Sequence, residues 1–307
     1  MVAEIPPPDL ASPAPDLPPP TPPATVGSSW DLAILLVVIA LAATSLLIVR
    51  RLGLHRIRTV RTGHLEERDE LWMILGIAGL LLLLANWLGS GSAAQILANA
   101  GPVDPYTLRI MALLSLGGCV GTILALIVIP VIVPGVLAHI GFRARARDLL
   151  TGTGAALLIF PLVLVTNAAM RALAGVVASL RDVPPPDNVM HETLDAMLRD
   201  PFGPWWWLLV ALSTLATPLY EETLFRGFLQ TVFLRVTHTP RLAIVVTSVI
   251  FTAMHIPVVE WHGLPGIFLL SIALGIIMER TGRLAPAIII HALFNAGNIA
   301  IAVAAAP

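Results

Sequence analysis

Apolar residues dominate this chain in long, nearly unbroken runs separated by short polar connections. A helix that crosses a bilayer needs about 20 mostly apolar residues. Eight runs approach or meet that length: 30–49, 71–88, 108–133, 149–170, 205–236, 242–258, 264–278 and 284–303. The seventh is short for a span, and Pro130 and Pro134 end or bend the third. A membrane β-barrel would show alternating segments of about ten residues, which these runs do not. The pattern predicts an all-α, polytopic membrane helix bundle of about eight helices.

The run pattern also divides the chain. Residues 1–29 hold ten of the 26 prolines and only three charged side chains, Glu4, Asp9 and Asp16. That composition predicts a disordered, polyproline-leaning tail, to which a proline-recognition domain could bind. Residues 30–148 are expected to hold the N-terminal membrane helices. Residues 149–307 are expected to hold the domain that carries the chemistry. Between the fourth and fifth runs, the stretch from Arg181 to Asp200 predicts an outer loop with a short interfacial helix. Gly117 and Gly121 have the spacing of a helix-packing face, read as internal packing.

Composition sharpens the membrane reading. The 307 residues are 57% hydrophobic and 12% charged, with mean hydropathy +0.87, and so few charges cannot cover a soluble protein of this size. The net charge of −1 gives no sign of a nucleic-acid partner. Cys119 is the only cysteine, so neither an intrachain disulfide nor a thiolate cluster can form.

All 18 basic residues are arginine, and they are not scattered. Arg50, Arg51, Arg56, Arg58, Arg61 and Arg68 follow the first run; Arg143, Arg145 and Arg147 follow the third. Arg235 and Arg241 follow the fifth, and Arg280 and Arg283 the seventh. Alternate loops are thus arginine-rich, which places them in the cytoplasm and both termini outside a cell (inner) membrane. The tryptophans fall at run ends, where interfacial anchors belong.

Ionisable groups at membrane depth cost about 2.5–3.5 kcal/mol on insertion scales, so each needs a reason. The second half of the chain carries a set of them: Glu221, Glu222 and Arg226 in the fifth run, His255 in the sixth, His291 and Asn295 in the last. Residues four apart share a helix face. Glu222 and Arg226 are therefore a natural ion pair, and Glu221, rotated about 100°, is free to face another helix. His291 and Asn295 project to one side. Counted at 1.5 Å per residue from the arginine-rich side, Glu221 and His255 lie about 22 and 21 Å deep. His291 lies about 18 Å deep if its helix continues from Glu279, but about 10 Å if that helix starts at Leu284.

A glutamate beside an imidazole can hold and deprotonate a water. A second imidazole and a carboxamide can donate to a developing oxyanion. Together these point to hydrolysis of a peptide bond. Glu221, His255 and His291 are also the ligand composition of catalytic zinc sites, so zinc is a cofactor the set allows. Other signals are decoys in this reading. His191-Glu192-Thr193-Leu194-Asp195 opens like a zinc motif but ends in Asp, in an outer loop. Glu260 and His262 are expected to be solvated loop residues.

The three motifs Glu221-Glu222-x-x-x-Arg226, Phe251-x-x-x-His255 and His291-x-x-x-Asn295 resemble those of the CPBP family of CAAX proteases and bacteriocin-processing (Abi) enzymes. The segment from Thr281 to Pro286 is similar too, and the resemblance covers roughly residues 150–303. It implies an intramembrane endopeptidase of the type II CAAX prenyl protease kind, acting on a membrane-associated, prenylated or other peptide substrate. By analogy Glu221 and His255 would activate the water, His291 and Asn295 would stabilise the oxyanion, and Glu222 and Arg226 would support the site. The family is described both as metalloproteases and as metal-independent glutamate proteases, which leaves zinc open. A non-catalytic membrane scaffold or immunity protein that binds a partner is the alternative; a transporter fits less well, because no paired broken helices in two related halves are evident.

Overall fold

A computed structural model describes residues 29–53, 56, 71–99, 107–184 and 191–305. The chain divides into two units, residues 1–37 and 38–307. The expected tail at 1–29 lies almost wholly outside the described residues, and the described part of the first unit is the opening of helix α1 (Ser29–Arg51).

The second unit is all-α, as the run pattern predicts. It continues with α2 (Leu71–Asn99), α3 (Leu108–Ile132), the single turn α4 (Val136–His139) and α5 (Ala146–Leu180). After α5 come the short α6 (Glu192–Arg199), then α7 (Pro204–Ala211), α8 (Thr217–Glu222) and α9 (Gln230–Thr237). The last elements are α10 (Pro240–Ala253), α11 (Leu264–Thr281) and α12 (Leu284–Ala305). Helices α2, α3, α5, α11 and α12 are long and apolar enough to cross a membrane. The outer faces of α2, α3, α5 and α12 carry exposed Leu, Ile or Val, which suits lipid contact.

Two expected spans differ from their predicted form. The fifth, 205–236, is not one regular helix: Leu212–Ala216 and Thr223–Leu229 are π-helical and separate α7, α8 and α9. Threonines mark these stretches. Thr214 donates to the Val210 carbonyl and Thr223 to the Leu219 carbonyl, both at 2.6 Å, taking up oxygens that a change of helical register loosens. The sixth, 242–258, ends as a helix at Ala253, so His255 lies in the turn beyond it. At 14 residues, α10 is only about 21 Å long. The expected short helix in the outer loop is α6.

Close backbone approach holds α2 to α3. A Cβ on Gly89 would stand 2.1 Å from the Gly117 carbonyl oxygen, and one on Gly121 would stand 1.9 Å from that of Ala85. The Gly117/Gly121 face is thus internal packing, as its spacing suggests. At the same seam Asn86 donates from Nδ2 to the Gly118 carbonyl and to Thr122 Oγ1, both at 3.0 Å, and Ser90 donates to the Leu114 carbonyl. Hydrogen bonds of this kind matter most where no water competes. The pair then supports the second half: Gly79 of α2 lets Phe228 approach, and Leu75, Leu82, Phe225, Phe228, Phe251, Met278 and Leu284 share one buried cluster.

Gly121→Ala should therefore overpack this seam and cost about 1–3 kcal/mol. Thermal unfolding in detergent checks it, with Gly91→Ala as the control, because Gly91 has open space around its Cβ position.

Candidate functional site

The site is built where α8, the following π-helical stretch, α11, α12 and the end of α10 meet. Its centre is Glu222, the last residue of α8, which has no side-chain exposure. Glu222 Oε1 accepts from Arg226 Nη1 at 3.1 Å and from His291 Nδ1 at 2.8 Å. The i,i+4 ion pair is therefore present as the spacing predicts. The second bond, from α12, is not visible in the spacing of either segment.

Arg226 is also fully buried. Its Nη2 donates to Ser271 of α11, to Oγ at 2.7 Å and to the carbonyl at 3.2 Å. Its guanidinium carbon lies 4.5 Å from the centroid of the Phe251 ring, a cation–π contact inside the bundle. One cation thus ties together α8, α10 and α11.

A carboxylate only accepts, so His291 Nδ1 carries the hydrogen, and Nε2 is left to face Glu221 Oε2 at 3.8 Å. Glu221 Oε2 is buried and receives no hydrogen bond from the protein. Yet the Glu221 side chain keeps 17% exposure against none for Glu222. The two adjacent glutamates therefore differ: Glu222 is sealed and hydrogen-bonded through Oε1, whereas Glu221 keeps some exposure and has only the longer His291 approach.

His255 uses the same device. Its Nδ1 lies 2.8 Å from the Phe251 carbonyl oxygen, which also only accepts, so Nε2 is bare. The His255 and His291 rings flank one Phe251 ring, at centroid distances of 4.6 and 6.0 Å. Asn295, one turn beyond His291, donates from Nδ2 to the Ser213 carbonyl at 2.8 Å. In the π-helical register Thr217 N–H reaches the Leu212 carbonyl, so the next oxygen, of Ser213, would fall to Pro218, which has no N–H. Asn295 fills that gap and keeps one amide hydrogen.

Helix α12 does start at Leu284, the case that seemed to leave His291 too shallow, and His291 still reaches both glutamates. The reason is where that start lies. A Cβ on Gly227 would be 3.4 Å from Leu284 Cδ1, so α12 begins level with Gly227. Seven residues from Leu284 to His291 then climb about as far as the six from Gly227 to Glu221, near 10 Å.

Two loop histidines differ from their expected solvated form. His191, dismissed as part of a decoy motif, caps α6: its Nδ1 accepts from Thr193 N–H at 3.2 Å. Its backbone bridges Val259 in the turn after His255, and Glu192 N–H donates to the Val258 carbonyl at 3.2 Å. Burial first, and then the neighbouring His255, push His191 down to about 4. His262, expected to be solvated, is fully buried, and neither ring nitrogen has a hydrogen-bond partner among the described residues; only Glu260 is exposed.

A bare Nε2 with a hydrogen-bonded Nδ1 is the form in which histidine binds metals. However, among the described residues no three His, Cys, Asp or Glu side chains come together at metal-binding spacing. Zinc on Glu221, His255 and His291 does not fit this arrangement, and no chemical step is routed through it below.

These features define a class: a multi-pass, all-α membrane protein with a buried Glu–His–Asn cluster. Residues 203–297 match the family model described as Rce1-like, the type II CAAX prenyl endopeptidase Rce1-like family, which is a protease family. The match bears out the resemblance carried by the three motifs. No curated protein and no solved structure matches the chain.

Truncating Arg226 to Leu should leave Glu222 buried without its cation and cost about 3–5 kcal/mol. Unfolding in detergent should show that loss, and Glu222→Leu in the same chain should recover part of it. A second expectation concerns acid. Below about pH 6.5 the unfolded chain protonates His191, while the folded chain declines the proton until about pH 4. Stability that is full above 6.5 should therefore fall as pH drops through that window. His191→Asn, which can still cap α6, should flatten that part of the pH–Tm curve.

Proposed function

We propose that this protein is an intramembrane endopeptidase in which Glu221 activates a water against a peptide bond. The observation that carries this reading is the approach of Glu221 Oε2, which receives no hydrogen bond, to His291 Nε2, 3.8 Å away, on a side chain that keeps 17% exposure. A single water can hydrogen-bond to both groups across that gap.

As the water attacks the scissile carbonyl carbon, Glu221 takes its proton. His291 Nε2 stands beside Glu221 to share that proton. The resulting imidazolium is stabilised through Nδ1 by Glu222, the logic by which a buried carboxylate supports a catalytic histidine. Arg226 balances Glu222, so the sealed pair contributes orientation without a second net negative charge. The oxyanion forms near the Asn295 amide hydrogen that Ser213 does not use, and near the protonated Nε2. Collapse of the tetrahedral intermediate breaks the C–N bond. The shared proton passes to the leaving amine, giving a carboxylate and an amine. His255, with its bare Nε2 across Phe251, is assigned as a second acceptor for the water.

The substrate in this reading is a membrane-associated peptide or protein, prenylated or not, and the bilayer is the other partner. The arginine-rich loops are assigned to the cytoplasm of a cell (inner) membrane, which puts both termini outside. In this scheme His291 moves from oxyanion support alone to the water itself, because it, among the described imidazoles, has a recorded approach to Glu221.

Glu221→Gln should lower kcat about 10²–10⁴-fold on a lipid-anchored fluorogenic peptide, with an unchanged thermal midpoint. Wild-type turnover in that variant would remove Glu221 from the mechanism.

A further inference from the structure

A cavity of about 470 Å³ lies between α6 and the turn that follows His255. His191, Glu192 and Asp195 line one wall, and Ile256 through Trp261 with Leu264 line the other. Three observations give this cavity a purpose.

First, α10 spans only about 21 Å from the arginine-marked side, short of the roughly 30 Å hydrocarbon layer. The irregular backbone after Ala253 therefore lies at membrane depth. Such backbone is tolerated there only where it is buried in protein or lines a water-filled cavity. Ile256 and Pro257 line the cavity together with the carboxylates Glu192, Asp195 and Glu260, so the second condition applies.

Second, the cavity belongs to one side. Helix α5 carries the chain from Arg143, Arg145 and Arg147 to the loop that holds α6, and α10 carries it from Arg241 to the His255 turn. The His191–Val259 bridge joins those two loops, so the cavity opens opposite the arginine-rich loops.

Third, His191 is a fixed donor. Its Nδ1 accepts from Thr193, so Nε2 carries the hydrogen. Among the described residues nothing accepts from that Nε2. The downward push on His191 keeps it neutral at physiological pH. Asp195 is taken by Arg199, which leaves Glu192 and Glu260 as the acids at the wall without a basic partner among the described residues.

We propose that this cavity is the peptide-admitting subsite of the protease, entered from the face opposite the arginine-rich loops. In it His191 Nε2–H donates to a backbone carbonyl of an extended substrate segment, and the segment bears a cationic side chain set against Glu192 and Glu260. His191 is a substrate-binding residue, separate from the Glu221 chemistry. The proposal rests on the protease reading above for its meaning, but not for its test.

The test has two arms, both on the full chain with Cys119→Ala. In the first, Trp261→Cys, at an exposed residue of the cavity wall, and Thr239→Cys are labelled with a membrane-impermeant maleimide in sealed right-side-out and inverted vesicles. Thr239 is exposed on the arginine-marked side. The two cysteines should label from opposite faces, and an excess of a lipid-anchored Lys-containing peptide should protect Trp261→Cys where its Glu-containing twin does not. Labelling from the same face, or equal protection by both peptides, overturns the proposal. The second arm measures turnover of the same two peptides. His191→Asn preserves the cap, so its thermal midpoint at pH 7 should hold while KM rises about tenfold, the loss of one hydrogen bond, at near-constant kcat. Glu192→Gln with Glu260→Gln should erase the preference for the Lys peptide. An unchanged KM in His191→Asn overturns the role of His191. If neither peptide is cleaved by the wild type, the protease reading fails, and protection in the first arm still decides the cavity.

Discussion

Glu222 is a carboxylate with no exposure inside an apolar bundle, and the second half of the chain is arranged around making that tolerable. Isolated, such a group would cost several kcal/mol. It is met by Arg226 from one turn on and by His291 from another helix. Arg226, itself sealed, needs partners beyond Glu222, and it finds them on Ser271 and over Phe251. Each of these requirements fixes one helix against another. α8 cannot rotate without losing Arg226 from Ser271, and α12 cannot slide without losing His291 from Glu222. Through these ties, the same electrostatic necessity that holds the bundle together also aims His291 Nε2 at Glu221. Orientation of the proposed catalytic pair and stability of the fold share one cause.

The π-helical stretches belong to the same constraint. Wider turns shift the faces that later residues present, and they free carbonyl oxygens that must be taken by something else. Around Ser213 the taker is Asn295, because Pro218 has no hydrogen to give. In this way a defect in one helix becomes a docking point for another. It also holds the Asn295 carboxamide one turn from His291, which is where the proposed mechanism needs an oxyanion donor.

Much of this was legible from spacing. Apolar runs gave the bundle, and the four-residue interval gave the Glu222–Arg226 pair, because both depend on local geometry alone. The π-helical breaks were not legible, since they arise from tertiary demands on individual carbonyls. Helix ends were misread for a related reason. Residues 254–258 are apolar enough to extend α10, and nothing local shows that α6 pairs with them instead. His191 and His262 were set aside because a loop residue flanked by polar neighbours looks solvated. For His191 the cause is a pairing with Val259, a segment over sixty residues away, a relation that a single sequence does not display.

The two ends of the bundle are treated differently, and that asymmetry bears on which end admits a substrate. On the arginine-marked side, Arg283 makes hydrogen bonds to both oxygens of Asp148, joining the start of α12 to the start of α5. Leu284 N–H donates to the Gly141 carbonyl at 3.0 Å, and Arg280 reaches the carbonyls of Gly53 and Arg56. Those bonds lock helix ends to loops and leave little to move. On the other side, among the described residues, α6 is held to the His255 turn by the His191–Val259 backbone bridge with its Glu192 N–H to Val258 carbonyl bond, beside the 470 Å³ cavity. A bundle that needs its charged centre rigid can yield only at the end where few bonds must break. That end is the one where His255 lies outside its helix and beside the cavity wall.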